Sequence, residues 1–451
     1  LFFHNPLPLS KEGFFYHTIE LTGLTPATTY HYRVSGPGTT FSDSSTFRTA
    51  PNGPADFSFT AFADNGINAN ATRFAEPLKN LVAAQNPAFH LIAGDLTYAD
   101  GDRCDGRPCI KEHWEQWFTE MARIARTAPV MPALGNHERS GDVKFPSGEL
   151  FYTRSFALPT QNREEYYSFD YGDIHFIALN SDDEGSLRAG QPQYEWLRAD
   201  LAATTKRWKI VYLHHMVYAS TSGHSVRERT QTNLSPLFDQ YDVDLVIQGH
   251  NHNYERTLPV RFGAYQNPVI ATTERTNYVN PDGTIYVTTG GAGQGLASFS
   301  GAPAAWSAVQ CRCHQILRVD VDDAGVLSVR SIGPEGNLVD QFTISKTGSA
   351  GSFPSITPPP SPSPTPAPAP APNPAPAPTT TPPPAPAPVV NPVQNVQTIR
   401  GVNFAVWSRD ALGGNAARQS LDDLQGTGAT WVALAPFWYQ DNKTSTAIYR
   451  R

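Results

Sequence analysis

The run Ala88-Phe-His-Leu-Ile-Ala-Gly94-Asp95-Leu-Thr-Tyr98-Ala-Asp100 decides the reading of this chain. A stretch suited to a buried strand breaks on a glycine and delivers oxygen-bearing side chains directly after it. The same pattern recurs on both sides. Phe57–Ala63 leads into Asp64-Asn65-Gly66, Pro129–Leu134 into Gly135-Asn136-His137-Glu138, Trp208–Leu213 into His214-His215, and Asp244–Ile247 into Gly249-His250-Asn251-His252. Ile174–Asn180 and Thr284–Thr288 add two further strands, and a β-meander runs through Leu317–Ser345. Helices fit between them at Arg73–Gln85, Lys111–Arg126 and Gln191–Ala203, so residues 57 to about 345 read as an α/β domain with an antiparallel tail.

Ligands of open α/β sheets bind at the carboxyl ends of the strands. Each strand end taken alone is weak: Gly-Asp is ordinarily a turn or helix cap, and a lone histidine is ordinarily a core residue. Their order is specific. Two cations held about 3.5–4 Å apart clamp a phosphate and activate a bound water, which calls for a bridging carboxylate within a mixed oxygen and nitrogen shell. A glycine before a ligand lets the backbone turn sharply and approach closely.

This order of motifs resembles the calcineurin-like metallophosphoesterases, and Tyr98 narrows the resemblance to the purple acid phosphatases. The resemblance implies a β-sandwich of two mixed sheets flanked by helices. It also implies that Asp64, Tyr98 and His252 hold Fe(III), that Asn136, His214 and His250 hold a divalent ion (Zn, Mn or Fe(II)), and that Asp95 bridges the two. The implied activity is an exported acid phosphatase that hydrolyses phosphate monoesters by attack of metal-bound hydroxide. His137, beside a ligand, then faces the substrate, where a protonated imidazole stabilises phosphate oxygens or protonates the leaving alkoxide. The family places two adjacent histidines in a later loop, and here the register reads Ser222-Gly223-His224. Only His224 remains of that pair, which leaves the general acid open between His137 and His224.

Neighbouring residues divide into expected roles. His215 is expected on the opposite face of a continuing strand, as a structural residue. Glu138, Asp100, Glu255 and Arg256 are expected to hydrogen-bond to ligands. His90, His113, His175 and His314 read as packing or surface residues. Gly290–Gly295 lacks the Lys-Ser/Thr of a phosphate-cradling P-loop and reads as a turn beside the site.

The remaining chain falls into modules. Residues 1–52 carry the β-rich runs HTIELTGL, TTYHYRVSG and SSTFRTA, which resemble the later half of a fibronectin type III module; its earlier strands are expected to be missing. Residues 53–348 form the catalytic domain. Residues 349–397 are a linker: 19 of the 40 prolines lie between Pro354 and Pro392, and polyproline II geometry makes a spacer on the order of 100 Å. Residues 398–451 read as one strand-helix-strand unit (Ile399–Trp407, Ala416–Gln425, Trp431–Ala435) that resembles the truncated start of a glycoside hydrolase barrel.

Composition bounds the partners. A net charge of −7, with no basic run, argues against nucleic acid. No apolar stretch approaches the length of a membrane span. Small phosphoesters are the expected substrates, with a homodimer and polysaccharide association through the C-terminal module left open. The linker and the paired cysteines favour a secreted protein. A loop disulfide at Cys104–Cys109 is the favoured pairing among three connectivities, and Asn70, Asn233 and Asn442 sit in glycosylation triplets. Two rivals stand beside the phosphatase. One is a phosphodiesterase or nucleotide pyrophosphatase on the same metals; the other is an extracellular scaffold or adhesion protein without activity.

Overall fold

A computed structural model describes residues 21–34, 41–67, 71, 73–101, 103–104, 107–108, 110–139, 150–159, 164–220 and 223–346, with four short strands between 403 and 449. The linker, the Cys104–Cys109 pairing, Asn70, Asn442, residues 17–20 and the helix expected at 416–425 lie outside the described residues or side chains.

The order of elements is β1 (Thr29–Tyr32), β2 (Ser45–Arg48), β3 (Phe57–Phe62), α1 (Ala75–Ala84), β4 (His90–Ala93), β5 (Arg103–Cys104), β6 (Arg107–Pro108), α2 (Ile110–Ala125), β7 (Val130–Ala133), α3 (Asn136–Arg139) and α4 (Phe151–Ser155). There follow β8 (Tyr167–Tyr171), β9 (Ile174–Leu179), α5 (Pro192–Ala203), β10 (Trp208–Leu213), α6 (Glu228–Gln240), β11 (Leu245–Gln248), β12 (Tyr254–Thr257), β13 (Val260–Ala264) and β14 (Asn267–Ile270). The domain closes with β15 (Asn277–Val279), β16 (Ile285–Thr289), β17 (Ser307–Cys311), β18 (Ile316–Val321), β19 (Val326–Ile332) and β20 (Leu338–Ser345).

Two seven-stranded sheets result, ordered β17-β12-β16-β11-β10-β9-β8 and β15-β20-β19-β18-β3-β4-β7. Each has a parallel part, the central β16, β11, β10 and β9 in the first and the terminal run β3, β4 and β7 in the second. The parallel strands read as unbroken apolar runs because both of their faces are covered. Along β10, Ile210 and Tyr212 enter the core shared by the two sheets, whereas Val211 and Leu213 pack outward with Leu197 of α5 and Leu234 and Phe238 of α6. Aromatic contacts join the sheets: Phe59 meets Phe176 edge-on at 5.2 Å, and Phe89 meets Phe176 at 5.1 Å. The expected two-sheet α/β sandwich is therefore the observed fold.

Ahead of it, β1 and β2 pair antiparallel around buried Phe47, and the Tyr32 hydroxyl donates to Arg126 O at the end of α2 (3.0 Å). Leu21–Leu24 lies outside any strand, against the expectation for HTIELTGL. Cys311 and Cys313 form a disulfide. Asn233 lies within α6, where its companion Ser235 is buried with Oγ 3.1 Å from Tyr218 Oη, so the hydroxyl of that glycosylation triplet is covered. In the C-terminal region Asn403–Val406 pairs in parallel with Ala433–Pro436. Among the described residues no helix is long and apolar enough to cross a membrane.

His175 on β9 illustrates a buried structural histidine, with Nδ1 2.7 Å from Asp170 and Nε2 2.8 Å from Asp200 on α5. Burial alone would depress its pKa, but the two carboxylates outweigh burial and raise it to about 9. A raised folded pKa adds stability that is complete below the unfolded value near 6.5 and is lost as pH rises through about 9. Wild-type stability is expected to fall across that window by about 3 kcal/mol, read as a lower melting temperature. His175→Gln should melt lower at pH 6 and flatten that part of the profile; equal slopes in the two proteins would refute the assignment.

Candidate metal centre

Every expected ligand follows a strand end, and the two sheets contribute jointly. Asp64 follows β3, Asp95 and Tyr98 follow β4, and Asn136 follows β7, all in the second sheet. His214 follows β10, and His250 and His252 follow β11, in the first. Asp64, Asp95, Tyr98 and His250 all hold φ between +54° and +68°. Non-glycine residues rarely adopt this left-handed region, and such strain gathers at functional sites.

The donor atoms converge in two sets. His214 Nε2 lies 3.0 Å from Asp95 Oδ2, 3.1 Å from Asn136 Oδ1 and 3.1 Å from His250 Nδ1. Tyr98 Oη lies 2.9 Å from Asp64 Oδ1 and 3.0 Å from His252 Nε2, which is itself 3.5 Å from Asp64 Oδ1. Bonds of about 2.1 Å to a common ion separate neighbouring donors by about 3.0–3.4 Å. Both sets fit a cation. Asp64 and Asp95 are buried, and their recorded ion-pair partners among the described residues are histidines alone. Buried carboxylates of this kind call for positive charge.

The surroundings hold the donors in place. His214 Nδ1 sits 3.0 Å from Ala93 O and His252 Nδ1 3.0 Å from Gly295 O, so each ring turns its Nε2 toward the cluster. The His250 amide donates to Asp64 Oδ2 (2.8 Å), and the His137 amide donates to Asp95 Oδ1 (3.0 Å). A Cβ on Gly135 would overlap the Asp95 carboxylate, and one on Gly94 (φ +82°) would stand 2.7 Å from the His214 ring. The expected glycines before ligands are thus required sterically.

Charge follows this geometry. Burial opposes ionisation of Asp95, but the charges of His214 and His137 outweigh it and hold the carboxyl well below its usual range. Burial, then the charge of Asp64, pushes the Tyr98 phenol far up. Each carboxylate also acts electrostatically on the other set, Asp95 on Tyr98 and His252 and Asp64 on His214.

His137 stacks on Tyr98 with ring centroids 4.0 Å apart. Its Nδ1 is 2.6 Å from Asp100 Oδ1, and its Nε2 is 3.8 Å from Asp95 Oδ2. Burial would lower its pKa, but the bond to Asp100 and the charge of Asp95 prevail and raise it to about 9. His224 lies over His250 at 4.1 Å, its amide donating to Asn251 Oδ1 (2.8 Å); burial and the charge of His252 lower its pKa. His137 is the better-held proton.

Four expectations change. Asp100 binds His137 rather than a ligand. Glu255 accepts from Ser220, Ser307 and Gln310, and Arg256 pairs with Asp340 and Tyr278, because β12 carries both away from the cluster. The strand before His215 ends at Leu213, so His215 does not cross to the far face; its ring packs 4.4 Å from His250. Glu138 does serve a ligand, but through backbone: it accepts the amides of Asp95 (2.9 Å), Leu96 (2.8 Å) and Gly135 (3.0 Å). His90, His113, His175 and His314 are buried in packing positions. Gln294, whose amide lies against Gly66, was hidden in the glycine-rich turn and carried no sequence signal.

Residues 57–254 match the calcineurin-like phosphoesterase family and residues 7–49 the N-terminal domain of purple acid phosphatases. "Probable inactive purple acid phosphatase 1" of Arabidopsis thaliana is 34% identical over 284 residues, covering 57% of this chain and 43% of that protein. A "nucleotide pyrophosphatase/phosphodiesterase" of Hordeum vulgare is 30% identical over 279 residues, covering 57% of this chain and 71% of that protein. Among solved structures, purple acid phosphatase PPD1 from yellow lupin (Lupinus luteus) seeds superposes with a TM-score of 0.63 at 28% identity, covering 72% of this chain and 60% of that one. The chain spans less than half of the Arabidopsis relative's length.

Proposed function

Because this chain belongs to the calcineurin-like metallophosphoesterases of the purple acid phosphatase type, we propose that it is a secreted acid phosphatase hydrolysing phosphate monoesters. The observation that supports this reading is the convergence of seven donor residues from two sheets beside a histidine whose Nε2 lies 3.8 Å from Asp95 Oδ2. Asp64, Tyr98 and His252 would hold Fe(III), Asn136, His214 and His250 a Zn, Mn or Fe(II) ion, and Asp95 both. Such a pair, when bound, lowers the pKa of a coordinated water and polarises phosphoryl oxygens. The residues of the chain supply the rest. Asp100 fixes the His137 ring so that its Nε2 proton can pass to the departing alkoxide. His224, stacked over His250, would face the phosphoryl group. Export accords with the Cys311–Cys313 disulfide and the proline-rich linker.

Tyr98→Phe separates a ferric tyrosinate centre from other two-metal centres. Wild-type protein loaded with iron and zinc is expected to bind about two metals per chain and to show a visible charge-transfer band, which the variant loses. Two metals without colour in the wild type would remove Fe(III) and leave the phosphoesterase. A second reading, phosphodiesterase or nucleotide pyrophosphatase, is favoured by Gly223. A Cβ there would meet Ala297 at 3.1 Å and Asn251 Oδ1 at 3.7 Å, so the position where the family carries a histidine offers no imidazole to a bound phosphoester. Comparing p-nitrophenyl phosphate with its bis-ester decides between the two.

A further inference from the structure

Beside the metal centre lies an ion-pair network with no part in the chemistry above. Asp182, beyond the end of β9, stands between two arginines: Arg139 Nε is 3.3 Å from Oδ2, and Arg227 Nη2 is 3.5 Å from Oδ1. Arg139 closes α3, the single turn that carries Asn136 and His137, and its Nη1 also pairs with Glu165 at 2.9 Å. Arg227 comes three residues after His224 and immediately before α6; its Nε pairs with Glu184 at 3.3 Å, and its Nη1 donates to Ser181 O at 3.2 Å. Below them lies buried His215, whose amide donates to Ser181 Oγ (2.8 Å). The His215 Nε2 has no hydrogen-bond partner among the described residues and faces Asp182 Oδ1 at 4.0 Å.

We propose that Asp182 is a positioning residue, which sets the separation between the turn bearing His137 and the loop bearing His224. One carboxylate paired through each oxygen with a different guanidinium ties the two segments to a common point. A separate anion-binding role fits less well, because both arginines are already matched to carboxylates. Among the described residues neither arginine pairs with a proposed metal ligand, so loss of the link should leave metal binding intact. The catalytic consequence rests on the phosphoesterase reading; the positioning itself does not.

The test compares Asp182→Asn and Asp182→Glu with Asp320→Asn, which removes an ion pair to Arg318 and Arg330 far along the second sheet. In hydrogen-exchange mass spectrometry on the full metal-free chain, Asp182→Asn is expected to speed exchange several-fold in peptides covering both 134–139 and 223–228. Asp182→Glu should restore protection, and Asp320→Asn should leave both peptides unchanged. In metal-loaded protein Asp182→Asn should lose about tenfold in kcat on an alkyl phosphate, with less loss on p-nitrophenyl phosphate and little change in KM. Exchange that rises only around 180–184, or equal loss on the two esters, overturns the proposal. If the loaded wild type cleaves no phosphoester, the functional reading fails while the exchange result still decides the positioning.

Discussion

Asp95→Asn is expected to lose most of the bound metal and at least about a thousandfold in turnover. The side chain is buried, its Oδ2 closes the His214 set, and its charge acts on Tyr98 and His252 of the other set. Asparagine keeps the shape and still accepts the His137 amide through Oδ1, so the local backbone should persist. What disappears is a buried negative charge that acts on donors of both sets, and with it charge that would balance two bound cations. Metal analysis and turnover on the same preparation measure both effects. A variant that kept two metals and wild-type turnover would show that Asp95 does not bridge.

The second large effect is expected at His137. His137→Gln should slow hydrolysis of an alkyl phosphate about a hundredfold or more, because an alkoxide leaves poorly without a proton. The loss on p-nitrophenyl phosphate should be under about tenfold, since nitrophenolate departs unprotonated. Metal content should stay at the wild-type level, as the metal-facing contact of residue 137 with Asp95 Oδ1 is its backbone amide. Asp100→Asn should reproduce part of the loss by weakening the hold on Nδ1. A uniform loss on both esters would move the proton-donor role to His224.

The parallel strands were legible in the sequence because each is apolar on both faces, as in β9, where Phe176 and Ile177 enter opposite cores. Of the flanking strands, β18–β20 were legible as the meander Leu317–Ser345, whereas β8, β12 and β17 were not. In β12, Tyr-Glu-Arg-Thr reads as a polar loop, yet all four residues are buried because Arg256 meets Asp340 and Glu255 meets two serines. Such burial depends on partners tens of residues away, which no local pattern displays. The same limit explains the errors around the site. Proximity in sequence to His252 suggested that Glu255 and Arg256 served it, whereas strand direction takes them elsewhere. The pairing of Asp100 with His137 spans 37 residues and leaves no local trace. The ligands themselves were legible because each is tied to a strand end, and a strand end is a local signal.

Each donor set draws from both sheets: Asp64 and Tyr98 are met by His252, and Asp95 and Asn136 by His214 and His250. The centre therefore works as a gauge of how the sandwich is assembled. The spacing of two ions so held is fixed by the sliding position of one sheet on the other, and Phe59, Phe89 and Phe176 at the shared interface set that position. Close-packed interiors shift as bodies rather than deform smoothly. A change at one of these rings, with no contact to any ligand, would then register as altered metal spacing while the fold still stood, and selection on turnover would reach into the hydrophobic core.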